Sequence, residues 1–137
     1  MKHFIIASHK HLAEGFYSAV KAIVGEVEHV YIISAYVDNT DVADQIETCM
    51  QSIPLDDDII VMTDIYGGSV NTEFMKLMGK RDFHLIAGIN LALIISIMVE
   101  IQGDVTREVL IEKVNECRMA LRYCNDDLVE SNEEEDF

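Results

Sequence analysis

A short apolar run, Phe4-Ile5-Ile6-Ala7, ends on Ser8-His9, and a helical pattern begins almost at once with Leu12. A second run, Ile59-Ile60-Val61-Met62-Thr63, ends on Asp64 and passes into Ile65-Tyr66-Gly67-Gly68-Ser69. A neutral imidazole is a good nucleophile, and the ordinary histidine pKa of about 6.5 supplies that form near neutral pH. What a lone histidine lacks is a fixed tautomer. A carboxylate that accepts the Nδ1 hydrogen leaves the Nε2 lone pair free to attack, which is the base-and-orienter logic of a catalytic triad without its serine. Asp64 is placed to orient His9 in this way. Gly67, Gly68 and Ser69 open a helical pattern, where glycines let backbone N–H groups approach an anion and Ser69 adds a hydroxyl donor. Singly, these are a polar loop histidine, a helix-capping aspartate and a glycine turn. Together they suggest a phosphoryl group held while it sits on nitrogen.

They converge only if the chain folds as an open α/β sheet. Residues 4–9, 30–35, 59–63 and 83–87 form four strand-like runs that alternate with helical patterns. Continuous apolar runs of this kind belong to parallel strands covered on both faces, joined by right-handed crossovers. The expected helical stripes are Leu12, Phe16, Val20 and Ile23, stopped by Gly25; Val42, Ile46, Met50 and Ile53, stopped by Pro54; Phe74, Leu77 and Met78; the apolar stretch 91–99; and Val109, Leu110, Val114, Cys117 and Leu121. In such a sheet ligands bind at the carboxyl edge. The ends of strands one, three and four would bring together His9, Asp64 with its glycine loop, and Asn90.

Composition narrows the function further. A chain of 137 residues suits one domain. It carries 25 acids against 10 lysines and arginines, a formal charge of -15, and 7 of those acids fall in residues 126–137, which contain no base. Such a field repels phosphate backbones and anionic lipid, so nucleic acid and membrane surfaces are poor partners and a protein with a basic patch is a better one. Cys49, Cys117 and Cys124 form no CxxC pair; with Cys117 and Cys124 at i, i+7 they read as buried reduced thiols of a cytosolic protein. The start runs directly into a strand pattern, unlike a secretory signal. The longest uncharged run, His84 to Val99, has 16 residues and is broken by Gly88, Asn90 and Ser96, too short for a membrane span.

The remaining features carry less. His9-x-His11 has no third ligand at supporting spacing, so no metal site is expected. His11 lines the site or faces solvent, Tyr66 packs over the active loop or offers surface contact, and His3, His29 and His84 read as incidental. The triplet Asp56-Asp57-Asp58 reads as a solvated turn, and the tail 126–137 as disordered or as a solvated end.

The runs Ile5-Ile6-Ala7-Ser8-His9, Met62-Thr63-Asp64-Ile65-Tyr66-Gly67-Gly68-Ser69 and Ile86-Ala87-Gly88-Ile89-Asn90-Leu91 occur in this order. Together they resemble the IIA component of the mannose family of the bacterial phosphotransferase system, over residues 1–125. The resemblance implies that His9 is phosphorylated on Nε2 by the phosphocarrier HPr and discharged onto a histidine of a IIB component. Asp64 would orient His9, while Gly67, Gly68 and Ser69 cradle the phosphoryl group; Ser8, Lys10, Tyr66 and Asn90 are candidates for lining the site. No cofactor or metal is implied. It also implies a cytoplasmic homodimer, peripheral to the membrane IIC/IID complex, with a single α/β domain. Its parallel four-stranded sheet, in order 2-1-3-4, is covered by helices on both faces and completed by an antiparallel strand exchanged with the partner. Only residues 119–129 are available for that strand. The chain departs from the family's usual pattern at Lys10, Val70 and Ala92, where glycine, proline and proline are usual; none of these removes a reacting group.

Three other readings stand beside this one. A phosphocarrier subunit of a dihydroxyacetone kinase shares the mechanism, but the Gly88-Ile89-Asn90-Leu91 stretch resembles sugar-system members more. A degenerate IIA domain that only regulates a partner would tolerate Lys10. A receiver or flavodoxin-like binding module would need an acidic pair after the first strand, where this chain has Ser8-His9.

Overall fold

The computed structural model describes residues 1–128. The chain order is β1 (Lys2–His9), α1 (Leu12–Val24), β2 (Val30–Ala35), α2 (Val42–Gln51), β3 (Asp58–Thr63), α3 (Ser69–Met75), β4 (His84–Ala87), α4 (Leu91–Ile95) and α5 (Arg107–Arg118). The four strands form one parallel sheet in the order β2-β1-β3-β4, as expected.

Strand periodicity divides the apolar runs between two cores. Phe4 and Ile6 of β1 and Ile60 and Met62 of β3 face a cluster with Ala13, Val20, Leu93, Ile94, Ile97, Leu110 and Cys117, from α1, α4 and α5. Ile5, Ala7, Ile59 and Val61 face the opposite cluster, with Val42, Ile46, Met50, Val70 and Phe74 from α2 and α3. Burial on both faces explains why β1 and β3 show no polar alternation.

Helix phases differ from the expected stripes in places. In α1 the buried residues are Ala13 and Val20, with Phe16 and Tyr17 packed beside them, while Leu12 and Ile23 are exposed. Ser8 sets this phase, because its Oγ accepts the Ala13 N–H at 2.7 Å. Asp41 caps α2 by accepting the Ala43 N–H at 2.8 Å, chosen from several polar residues able to do so. The apolar stretch after Asn90 is α4 followed by a π-helical turn, Ser96–Glu100, in which Ser96 Oγ donates to Glu100 Oε2 at 2.9 Å.

The carboxyl-terminal expectations also change. Helix α5 ends at Arg118, so Leu121 and Cys124 lie beyond it and are exposed. Cys117 is buried, and burial pushes the Cys49 thiol up to about 11; all three cysteines are free. Residues 119–128 contain no strand in the single chain, and 124–128 are helical. The antiparallel strand expected over 119–129 does not occur within 119–128, and its last residue, 129, lies outside the described residues. The rest of the acidic tail, 129–137, lies outside the described residues. Among the described residues no helix is long and apolar enough to cross a membrane.

His3 and Asp57 are not incidental. His3 is 3% exposed, and its ring lies between the Tyr31 hydroxyl at 3.0 Å and Asp57 Oδ2 at 2.8 Å. The hydrogen bond from His3 is the main cause holding the Asp57 carboxyl below its ordinary value. This pairing ties the amino end of β1 to the turn before β3, so the acid triplet is only partly a solvated turn.

Phe74 is fully buried and anchors the short helix that begins at Ser69. Phe74→Ala is expected to lower the unfolding free energy by about 3–5 kcal/mol, measured by urea denaturation; a loss below about 1 kcal/mol would show that α3 is held by something else.

Candidate functional site

Parallel pairing brings the strand ends to one edge. His9 lies opposite Ala35 of β2, Ala7 opposite Thr63 of β3, and Thr63 opposite Ala87 of β4. His9 thus projects past the end of β3, and Asp64, one residue beyond that end, turns back toward it. Asp64 Oδ2 accepts the His9 backbone N–H at 2.9 Å and meets His9 Nδ1 at 2.8 Å, while Oδ1 accepts the Ile65 N–H at 3.1 Å. The Asp64 side chain is 5% exposed and that of His9 is 37% exposed, so the orienting group is sheltered and the ring is reachable.

Electrostatics at Asp64 is a contest. Burial alone pushes the carboxyl upward, but the bonds from the His9 backbone and ring outweigh it and hold the carboxyl below its ordinary value. Asp64 is therefore an acceptor only, so His9 Nδ1 carries the hydrogen of that contact, and in the neutral ring the lone pair is on Nε2. Ser69 Oγ lies 3.3 Å from that Nε2.

The glycine loop is a tight turn packed against the His9 ring. Gly67 has φ 76, and the Gly68 N–H closes a turn onto the Ile65 carbonyl at 3.2 Å. Gly67 supplies the left-handed residue of that turn, and the Gly68 amide is committed to closing it. Gly68 matters for its missing side chain: a Cβ there would sit 3.3 Å from His9 Cε1 and 3.3 Å from the Ile65 carbonyl oxygen. Behind the loop, the buried Thr63 hydroxyl donates to Asn71 Oδ1 at 2.8 Å, fastening the end of β3 to α3.

The other candidates fall into two groups. Ser8 is buried in the turn, where its hydroxyl bonds the His9 carbonyl at 3.2 Å and caps α1. Tyr66 is 79% exposed beside the loop. Lys10 has φ 54, a left-handed conformation that glycine adopts without strain. Its N–H donates to the Ala35 carbonyl at 2.8 Å and its Nζ to the Tyr36 carbonyl at 2.5 Å, so the ammonium is engaged with backbone. Asn90 does not join the cluster: its Oδ1 caps α4 through the Leu93 N–H at 2.8 Å and its Nδ2 donates to the Cys117 carbonyl at 3.0 Å. His11 pairs with Glu14 at 2.7 Å on the exposed side of α1. Among the described residues no group of three or more histidine, cysteine or acidic side chains is arranged to hold a metal.

Tyr36 belongs to the site and was missed. Its hydroxyl bonds Ser69 Oγ at 2.6 Å, and its ring centroid lies 5.6 Å from that of His9. The available signal was an aromatic residue at the end of the strand that pairs with β1.

The fold is an open parallel α/β sheet whose carboxyl edge carries a histidine paired through Nδ1 with a sheltered aspartate. The family described as PTS system fructose IIA component (EIIA-man) matches residues 3–114, and the chain belongs to that family. Members are phosphocarriers of the sugar phosphotransferase system, and that is the role of this chain. Among solved structures, a candidate phosphoenolpyruvate-dependent sugar phosphotransferase permease of Klebsiella pneumoniae is similar at TM-score 0.87 and 34% identity, covering 93% of each chain. The mannose/sorbose-specific IIA subunit of Enterococcus faecalis is similar at TM-score 0.75 and 25% identity, covering 89% of this chain and 94% of that one. A phosphotransferase component EIIA of Streptococcus agalactiae, at 18% identity and TM-score 0.78 over 92% of this chain and 99% of that one, shares the fold.

A carboxyl held low in the folded state contributes stability above its unfolded pKa of about 3.9 and loses it as pH falls through the lower folded value. The stability difference between wild type and Asp64→Asn should therefore shrink between pH 5 and the acid limit of folding, measured by urea unfolding at each pH. A constant difference over that range would remove the ionised Asp64 from the site.

Proposed function

We propose that His9 is the phosphoryl acceptor, taking the group on Nε2 from HPr and passing it to a histidine of a IIB component. The observation that carries this reading is the 2.8 Å contact of Asp64 with Nδ1, which leaves Nε2 as the nucleophile on the exposed side of the ring. The Nε2 lone pair forms the new N–P bond as the donor's N–P bond breaks, and that electron pair returns to the donor nitrogen. No proton leaves His9: the Nδ1 hydrogen stays in its bond to Asp64, whose charge balances the positive ring. Such a loose in-line transfer depends on positioning and charge stabilisation. Ser69 contributes the nearest hydroxyl, and Gly67 and Gly68 shape the loop that leaves it room.

Docking of a protein donor is supported by the exposed apolar residues on the surrounding turns, Leu12, Val37, Ile65 and Tyr66. The negative charge of the chain favours basic partners. A homodimer is supported by the outer edge of β4, beside which Leu110, Ile111 and Val114 line an open groove that a segment of a second copy would fill. The setting is cytoplasmic, beside the membrane components. A purely regulatory, inactive IIA domain gains nothing from Lys10, because the ammonium is turned onto Tyr36 and blocks no reacting group.

Incubation with labelled phosphoenolpyruvate, enzyme I and HPr should give acid-labile label that is absent in His9→Ala; label persisting in that variant, or none in wild type, would end this reading. Asp64→Ala should slow transfer by about 10²- to 10⁴-fold while the protein remains folded, and wild-type kinetics would remove the orienter role.

A further inference from the structure

We infer that Tyr36 is a positioning residue for phosphoryl transfer, acting through Ser69. This rests on the phosphocarrier reading of His9 and adds a residue to it. Hydrogen-bond direction can be followed from one end of the site to the other. Asp64 accepts from His9 Nδ1 at 2.8 Å, so in the neutral, nucleophilic ring Nε2 bears the lone pair. The Ser69 hydroxyl, 3.3 Å away, must then donate to Nε2, which leaves its oxygen to accept the Tyr36 hydroxyl at 2.6 Å. The relay runs Tyr36 to Ser69 to His9 to Asp64, and every hydrogen in it is assigned.

The chain invests in placing this tyrosine. Tyr36 has φ 64, an unfavourable conformation for a bulky residue, and Lys10, itself at φ 54, grips the Tyr36 carbonyl through Nζ. The Tyr36 side of the site therefore depends on the residue where the family usually has glycine. With its ring beside that of His9, the hydroxyl is directed to Ser69 although the residue is 42% exposed.

When Nε2 forms its bond to phosphorus the lone pair is used, and the Ser69 hydrogen has no acceptor on the ring. It turns to a phosphoryl oxygen, which lies two bonds beyond Nε2, on the phosphorus. Tyr36 continues to donate to Ser69 Oγ throughout, which fixes that oxygen and polarises the O–H toward the anion. The hydroxyl pair thus acts on the transferring group.

The test uses pre-phosphorylated HPr as donor in single-turnover and steady-state transfer to the full chain. Tyr36→Phe keeps the ring and removes only the hydroxyl. It should lower kcat about tenfold with KM for phospho-HPr unchanged, and Ser69→Ala should lower kcat by about 10²-fold. Tyr36→Phe placed in the Ser69→Ala background should cause no further loss, because the tyrosine acts only through the serine. Wild-type kcat in Tyr36→Phe, losses that multiply in the double variant, or a change confined to KM would each overturn the inference while leaving His9 as acceptor. Failure of wild type to accept label at His9 would overturn the phosphocarrier reading itself, and the inference with it.

Discussion

Asp64 holds His9 with one carboxylate oxygen, which accepts both the backbone N–H and the ring Nδ1. Removing a carboxylate from water costs several kcal/mol, while each hydrogen bond to a charged acceptor returns about 1.5–3 kcal/mol. With three N–H donors, from the His9 backbone, the His9 ring and Ile65, the ionised form survives at 5% side-chain exposure. If Asp64 were neutral, no group in the site would specify which nitrogen carries the hydrogen. The register of β1 against β3, the Thr63–Asn71 clasp and the turn through Gly67 all serve to deliver this one carboxylate to this one ring.

The two faces of the ring junction are built from different materials. On the Asp64 side, buried apolar strands impose geometry that no side-chain motion can relax, since Ala7, Val61 and Met62 are fully buried. On the Nε2 side, exposed hydroxyls from the turn after β2 and the first residue of α3 meet, where reorientation is cheap. A rigid orienter and an adjustable donor suit a group that must be gripped and then released.

Much of this was legible in the chain itself. The continuous apolar runs of β1 and β3, the glycine stop after α1 and the polar residues at two strand ends all follow from local rules, so the fold class and the meeting of His9 with Asp64 could be read directly. What escaped depended on non-local partners. The phase of α1 turns on Ser8 capping Ala13. His3 is buried only because the strand order places Tyr31 and Asp57 on either side of it. Asn90 stands at the expected edge, yet its two polar ends are taken by Leu93 and Cys117, the second lying on a distant helix. Tyr36 follows the same pattern: an aromatic residue just past β2 is visible in the chain, but nothing near it in sequence forecasts its bond to Ser69.

The tautomer of His9 is the point on which the proposed chemistry rests, and long-range ¹H–¹⁵N correlation of the imidazole in the unphosphorylated protein at neutral pH measures it directly. A neutral ring with its hydrogen on Nδ1 and a bare Nε2 is the expected result, lost in Asp64→Ala. A ring protonated on Nε2, or one that exchanges freely between tautomers, would contradict it.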